Sequence, residues 1–483
     1  MAERNDQEEI RLKRRAELIE HGHNPYPART KTTTTIQHLR EHWKVDQSAT
    51  ISGRVRAIRL QGGSAFIDLD DGTGKLQLFL QKKQLGDTFA SLTSALDLGD
   101  FLEASGVTFL TKAGEQSLNT SDAKWLAKAL RPLPSNWHGL EDVEVRYRHR
   151  ELDLVTNPET KTIFLQRATI VRTLREELHR HGFVEVETPM LQPLAGGASA
   201  KPFVTHHNAL DIDLFLRVAP ELYLKRLIVG GFNRVFEVAR CFRNEGIDRD
   251  HNPEFTQVEL YAAYHDYRWL MDFTEKLVVN IATSVHGRPI FIHEQQEQPL
   301  ATPFPRITYH DAIKQYTEID IDAVDDQALV AAARQRGTDI PDGLGRGKVI
   351  DELFKTHVRP KLITPTFVFD YPLELSPLAK KKADQPTYTE RFQLLMGGTE
   401  LGNAFSELND PIDQRQRFQE QERLRDSGDE EAQRVDEDFL EALEYGMPPT
   451  AGLGIGIDRL TAVLTGHHTL KDVILFPTLR PKS

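Results

Sequence analysis

Apolar and polar residues alternate with two different periods along this chain, dividing it into a strand-rich first part and a mixed second part. From Ile51 to about Pro132, short runs of period two lie between glycine turns, the pattern of β-strands with one buried face. In AFIDLD, Ile67 and Leu69 point to one side and Phe66 to the other. In KLQLFL, Leu76, Leu78 and Leu80 point in and leave Gln77 and Phe79 out, because successive strand side chains alternate. In the first strand Val55 and Ala57 face opposite to Arg54 and Arg56. An aromatic ring, an amide and arginines thus share the wet face of a small barrel, a set that stacks on and reads unpaired bases in OB-folds. An ordinary β-module with an exposed Phe fits the segment equally well.

The second part mixes periods. After a proline-punctuated, charged linker ending at Arg150, residues Thr160 to His181 carry Phe164, Ala168, Val171, Leu174 and Leu178 on one helical stripe, closed by Gly182. Val235 to Arg243 then alternates as a strand, with Phe236, Val238 and Phe242 on one face and Glu237, Ala239, Cys241 and Arg243 on the other. A polar turn, Asn244 to Pro253, leads to a second strand. There Thr256, Val258 and Leu260 take the core side, and Phe255, Gln257, Glu259 and Tyr261 share a face unsuited to a core. A solvated face is the ordinary reading of such a hairpin. Near the C-terminus, Leu401, Asn403, Phe405 and Glu407 fall on one strand face. Glu400 is out of phase with Asn403, so a bend or bulge would have to lie between them if both served one site. AGLGIGIDRLTAVL reads as a glycine-rich strand entering a helix with Asp458 and Arg459 in its first turn. Tyr267 to about Pro365 is helical and loop-rich, and no chemistry is legible in it.

The 483 residues and a hydrophobic fraction of 39% predict two or three domains with real cores. No apolar run approaches a membrane span, and the charged N-terminus is not a signal peptide, so a cytoplasmic protein is expected. The lone cysteine, Cys241, excludes disulfides within the chain and Cys-based zinc sites, and reads as a packing residue. A net charge of -12 argues against a nucleic-acid coat, although Arg11, Lys13, Arg14 and Arg15 form a local basic cluster in a predicted N-terminal helix.

Three motifs carry a resemblance. FRNEG, HNPEFT and the following ExY resemble motif 2 of the class II aminoacyl-tRNA synthetases, in the form worn by the lysyl-tRNA synthetases. FVEVETPML resembles motif 1, which in that family builds a dimer interface with a proline at the place of Pro189, and AGLGIGIDRL resembles motif 3. GGASA after Leu194 and the barrel segment resemble the same family. The resemblance implies an α+β chain: an N-terminal extension (1–50), an anticodon-binding OB-fold (51–135), a linker (136–150) and a class II catalytic domain (151–483). That domain is an antiparallel sheet flanked by helices, with a helical insertion around 267–365. It implies activation of L-lysine with ATP to lysyl-adenylate and pyrophosphate, transfer to the 3′ end of tRNA(Lys), and a homodimer.

The same resemblance assigns residues. Gly197 would lie against the amino acid, Glu221 would receive its α-amino group, and Asn403 and Arg243 its carboxylate. Phe405 would line the side chain, and Tyr261 and Glu407, supported by Glu259, would hold the ε-ammonium. Glu245, His251, Asn252 and Phe255 would position ATP. Arg243 and Arg459 are the implied catalytic cations, Arg459 stacking on adenine opposite Phe255 with Gly454 and Gly456 giving close approach. Arg54, Arg59, Phe66 and Gln77 would contact the anticodon. The family holds Mg2+ between two carboxylates. The second is Glu400 and the first falls on Gln393, so a weakened or rearranged metal site is expected. Two alternatives stand beside this reading: a relative that lysylates a protein, against which the barrel speaks, and a catalytically impaired RNA-binding or regulatory paralogue, motivated by Gln393.

Overall fold

Period-two alternation closes the first part into a barrel. Strands β1 (Ser48–Gln61), β2 (Ser64–Asp70), β3 (Lys75–Gln81), β4 (Phe101–Leu110) and β5 (Gln116–Ala127) pair in the order β1-β2-β3-β5-β4 and close on themselves. Ile51, Val55, Ile67, Leu69, Leu78, Leu80, Leu102 and Trp125 fill the interior. One expected alternation is corrected: a register shift between Val55 and Ala57 flips the phase of β1, as a bulge does. Ile58, not Ala57, then packs on the core, and Arg59 comes opposite Phe66.

This computed structural model describes residues 5–134, 140–198, 200–426 and 434–481; Ser199 of the glycine string, residue 135 and linker positions 136–139 lie outside them. The chain divides into two units, Met1–Leu140 and Glu141–Ser483, so the expected 1–50 extension belongs to the barrel's unit. Helix α1 (Asp6–Glu20) starts where Asn5 caps it, its side chain accepting from the Glu8 amide at 3.0 Å, as N-caps do. The basic cluster on α1 is turned inward in part. Buried Arg11 donates to the carbonyls of Leu98, Ala129 and Arg131, and Arg14 pairs with Asp97 at 2.5 Å, so these charges tie the helix to the barrel.

The end of the expected linker is not extended. Helices Val143–Arg148 and Arg150–Thr156 form there, because Arg146 and Arg150 both pair with buried Asp153 and Arg150 also donates to the carbonyls of Leu475 and Lys471. Helix α2 (Pro158–Arg180) has proline in its first turn, where a missing N–H is harmless. Its buried stripe runs through Ile170, Leu174 and Leu178, while Ala168 is exposed.

The second unit is built on an eight-stranded sheet: β6 (Val184–Glu185), β7 (Arg234–Phe242), β8 (Glu254–Ala263), β9 (Arg306–Thr308), β10 (Thr366–Pro372), β11 (Tyr388–Met396), β12 (Thr399–Ser406) and β13 (Thr450–Gly456), in the order β9-β10-β11-β12-β13-β8-β7-β6. Neighbours are antiparallel except at the two edges, where β6 runs parallel to β7 and β9 to β10. Helices α2, α4 (Tyr267–His286) and α5 (Ile457–Thr465) cover one face. There Leu174, Leu178, Leu277, Ile281 and Leu460 meet Phe236, Val258, Leu260, Leu453 and Phe392. The expected insertion therefore begins later than 267, since α4 belongs to the main core; Tyr309 to Leu362 gather a separate core with Val368 and Tyr371.

Candidate active site

The other face of the sheet carries the polar side chains. Residues paired across antiparallel strands share a face, and the register lines up Gln393, Asn403, Gly454, Glu259 and Glu237 in one row and Arg391, Phe405, Gly452, Tyr261 and Val235 in the next. Glycines of β13 leave the middle of both rows without side chains, and the gap is a cavity. Gly197, Glu221, Arg243, Glu245, His251, Asn252, Phe255, Glu259, Tyr261, Glu400, Asn403, Phe405, Gly454, Gly456 and Arg459 all line it. The hairpin face expected to be either solvated or a binding surface is a closed wall, with Gln257, Glu259 and Tyr261 buried.

The inner end of the cavity concentrates carboxylates. Glu259 accepts from Gln257 Nε2 at 2.7 Å and from the Tyr261 hydroxyl at 3.2 Å. Glu407 does not line the cavity; it lies beneath, so close to Gly452 that a Cβ there would stand 2.1 Å from its Oε1. Both Glu407 and Glu221 pair with Lys225, on α3 (Glu221–Val229), whose ammonium is fully buried and 2.6 Å from Glu221 Oε1. Lys225 escaped the sequence reading. Its signal was there: an acid four residues before a base on one helix. Burial, and then the charge of Glu221, pushes the Glu259 carboxyl up to about 8. Burial likewise raises Glu407 well above the usual range, against the pull of Lys225. For Lys225 burial acts downward, but Glu221 and Glu407 more than offset it and hold the ammonium charged. Three carboxyls thus share one ammonium, and two of them are held toward their protonated forms, so an arriving cation would favour their ionisation.

At the other end lie cations and a ring. The Arg243 guanidinium sits 5.0 Å from the centre of the Phe255 ring, and its Nε is buried without a hydrogen-bond partner, a donor free for an anion. Arg459 donates to the Glu400 carbonyl at 3.4 Å. Asp458, beside it, is buried; it accepts the Thr256 amide at 2.9 Å and pairs with Arg167 of α2 at 2.5 Å, while Arg167 Nη2 reaches Thr256 Oγ1 at 3.3 Å. One arginine of α2 thus ties the second and third motif segments together, a role the sequence does not display. Asn252 is committed to the loop itself, donating to the Glu254 carbonyl and accepting from the Thr478 amide. His251 faces solvent, bound to Asp248 at 2.9 Å. Cys241 is buried, accepts from Gln257 at 3.3 Å and is pushed up to about 12 by burial, which leaves it inert as a nucleophile.

The bulge required between Glu400 and Asn403 is present: Leu394 pairs with Gly402 but Leu395 with Glu400, leaving Leu401 extra. Glu400 is thereby turned to the cavity, 3.6 Å from Arg359 Nη2. Gln393 Oε1 accepts the Tyr371 hydroxyl at 2.8 Å. A divalent cation favours anionic oxygens, and here position 393 offers an amide already engaged while Glu400 faces an arginine. The pair does not fit a two-carboxylate metal site. Among the described residues no group of three or more His, Cys, Asp or Glu side chains is arranged for a metal.

On the barrel, Arg54, Arg59, Phe66 and Gln77 fall on the outer face. Arg59 forms a two-pronged pair with Asp68, at 3.0 and 2.7 Å. Arg54 lies 4.3 Å from the Phe101 ring centre, and Gln77 accepts from Ser117 at 3.1 Å. Phe66, Phe79 and Phe109 form a row with ring centres 5.0 and 5.7 Å apart, and Phe109 is the member that sequence reading missed.

Comparison with known proteins agrees with both units. The profile of the family described as tRNA synthetases class II (D, K and N) matches residues 142–480, and that of the OB-fold nucleic acid binding domain matches 49–126. The chain is 49% identical over 481 residues to the lysine--tRNA ligase of Moorella thermoacetica, covering 99% of this chain and 98% of the relative. It is 48% identical to that of Carboxydothermus hydrogenoformans, covering 99% of each, and 45% identical to that of Staphylococcus haemolyticus, again covering 99% of each.

Proposed function

Since the chain belongs to the class II tRNA synthetases of the D, K and N group, we infer that it is a lysine--tRNA ligase, joining L-lysine to tRNA(Lys) at the expense of ATP. The observation that carries the choice of amino acid is the buried cluster of Glu221, Glu259 and Glu407 around the single ammonium of Lys225, carboxyls that a second ammonium would ionise, beside the Phe405 ring. Lysine brings two ammonium groups and an aliphatic stem. Aspartate would meet like-charge repulsion.

In this reading Glu221 takes the α-ammonium beside Gly197, the stem runs along Phe405, and the ε-ammonium meets Tyr261 and Glu259, with Glu407 and Lys225 packed beneath. Asn403 and Arg243 receive the carboxylate; Arg391, whose Nε donates to Asn403 Oδ1 at 2.8 Å, fixes the amide that does so. Adenine lies between Phe255 and Arg459, with Glu245, His251 and Asn252 shaping the loop over the phosphates. The lysine carboxylate attacks the α-phosphorus and pyrophosphate leaves. Arg243 and Arg459 stabilise the charge that builds on the phosphate oxygens, so positioning and electrostatics carry the step without a covalent nucleophile. A terminal ribose hydroxyl of the tRNA then attacks the lysyl carbonyl and AMP departs. The barrel's outer face, with Arg54, Arg59, Phe66 and Gln77, takes the anticodon. The apolar side chains Val184, Met190, Leu191, Val204 and Ile212 are exposed, and they support a homodimer formed through this region. No helix among the described residues is long and apolar enough to cross a membrane, and a cytoplasmic setting suits the proposed substrates.

The test is exchange of labelled pyrophosphate into ATP with each common amino acid in turn. Exchange with lysine alone is expected. Exchange with another amino acid and not with lysine contradicts the reading, and no exchange with any favours the RNA-binding alternative.

A further inference from the structure

Next to Glu400 the cavity opens into a second space that shares Glu221, Arg243, Glu400 and Asn403 with the first and is walled by Asp351, Lys355, Arg359, Arg391 and Gln393. This wall comes from the segment in which no chemistry was legible. Its position is fixed by the β11–β12 turn, where Gly397 and Gly398 both have positive φ, 61° and 73°, as a two-residue hairpin requires. Their amides donate to the carbonyls of Ile363 and Leu362 at 2.8 and 3.1 Å, and Gly398 is close enough to Pro360 that a Cβ would lie 3.5 Å from its Cα. The turn Arg359–Lys361 is thus held against the strand that bears Glu400.

The cations of this wall are not equally available. Lys355 pairs with Asp351 at 2.7 Å and with Glu352 at 3.1 Å. Arg391 donates to Asn403, to Ser376 and to the Leu375 carbonyl. Arg359 meets Glu400 at 3.6 Å, beyond hydrogen-bond length, and its Nε is buried without a partner. It therefore has donors to spare in a fork suited to phosphate oxygens. Gln393 points the same way: its oxygen accepts from Tyr371, it carries no charge to draw a cation, and its amide N–H2 can donate to an anion.

We propose that Arg359, with the Gln393 amide beside it, supplies from the protein the positive charge at the ATP phosphates that a metal ion held between positions 393 and 400 would otherwise supply. This rests on the reading of the cavity as an ATP-dependent activation site. The enzyme then works with the magnesium that accompanies ATP and draws no further activation from a second, protein-held ion.

Two measurements test it on the full-length protein and on Arg359→Gln, Arg359→Lys and the double variant Gln393→Glu/Arg359→Gln, each checked for a parent-like melting curve. The first is ATP binding by equilibrium dialysis in EDTA. Arg359→Gln is expected to weaken it about tenfold or more, the loss of charge-assisted contacts, and Arg359→Lys to weaken it less. The second is lysine-dependent pyrophosphate exchange at saturating MgATP while free Mg2+ is raised. The parent rate should stay flat, whereas the double variant should rise with free Mg2+. Unchanged ATP binding in Arg359→Gln, or a parent rate that climbs steeply with free Mg2+, overturns the proposal. Absence of lysine-dependent exchange in the parent overturns the ligase reading instead, and the dialysis result still decides the role of Arg359.

Discussion

Glu259 shows how a single carboxyl can couple ligand binding to pH. Burial and the charge of Glu221 raise it to about 8 from an ordinary 4.5, and Glu407, Tyr261 and Lys225 are its other titratable neighbours. The folded protein without ligand therefore binds a proton that the unfolded chain releases. The stability this contributes is full below the ordinary value and is lost as pH rises through the raised one. An incoming ammonium prefers the charged carboxylate. Lysine should thus raise the melting temperature more at about pH 8 than at about pH 6, and Glu259→Gln should flatten the difference. A lysine-induced shift equal at both pH values would remove Glu259 from the ammonium site. At this scale the acids were legible through the resemblance, since the pattern alone reads the hairpin face as solvated. For Lys225 the i,i+4 spacing from Glu221 was visible but reads as an ordinary surface pair; only the fold brings Glu407, far along the chain, to meet it.

Among the elements, β13 decides the shape of the site. Its glycines alternate with Leu453 and Ile455, which pack into the core, so the strand is bare on one face and anchored on the other. The bare positions are not equivalent. A Cβ at Gly452 would stand 2.1 Å from Glu407 Oε1 and 2.5 Å from Tyr261 Cε1, whereas one at Gly454 would meet Glu259 Cγ at an ordinary 3.6 Å. Gly452→Ala should lower the melting temperature, an overpacking effect of about 1–3 kcal/mol, and abolish lysine-dependent exchange. Gly454→Ala should fold like the parent and raise the KM for lysine, because its methyl enters the cavity. If both variants behave alike, the space at Gly452 is not what admits Glu407 and Tyr261 to the site. The glycine run was visible in the sequence, but which glycine is obligatory depends on cross-strand neighbours. The bulge at Leu401 was the opposite case: once the resemblance put Glu400 and Asn403 in one site, their phase clash demanded it. Arg359 lay in a segment whose pattern gives no register relative to the sheet, so nothing local marked it as a cavity residue.

At the scale of the whole molecule, the two units divide the chemistry, and the division is testable without cutting the chain. The barrel's outer face carries Arg59, Phe66, Phe79 and Phe109 as a continuous strip, while the carboxylates and arginines of the activation site all lie in Glu141–Ser483. The two-period pattern of the sequence displayed this division, although it drew a linker through Arg150, where buried ion pairs make helices instead. If the strip stacks unpaired bases, Phe66→Ala and Phe109→Ala should each remove a stacking platform of about 1–3 kcal/mol, raising the KM for tRNA(Lys) by roughly tenfold in aminoacylation. Neither ring lies in the unit that carries the activation site, so pyrophosphate exchange should keep its rate in both variants. Exchange and aminoacylation falling together would mean that the barrel acts on activation itself. Aminoacylation unchanged in both variants would place the anticodon elsewhere and leave the aromatic row as packing for the barrel alone.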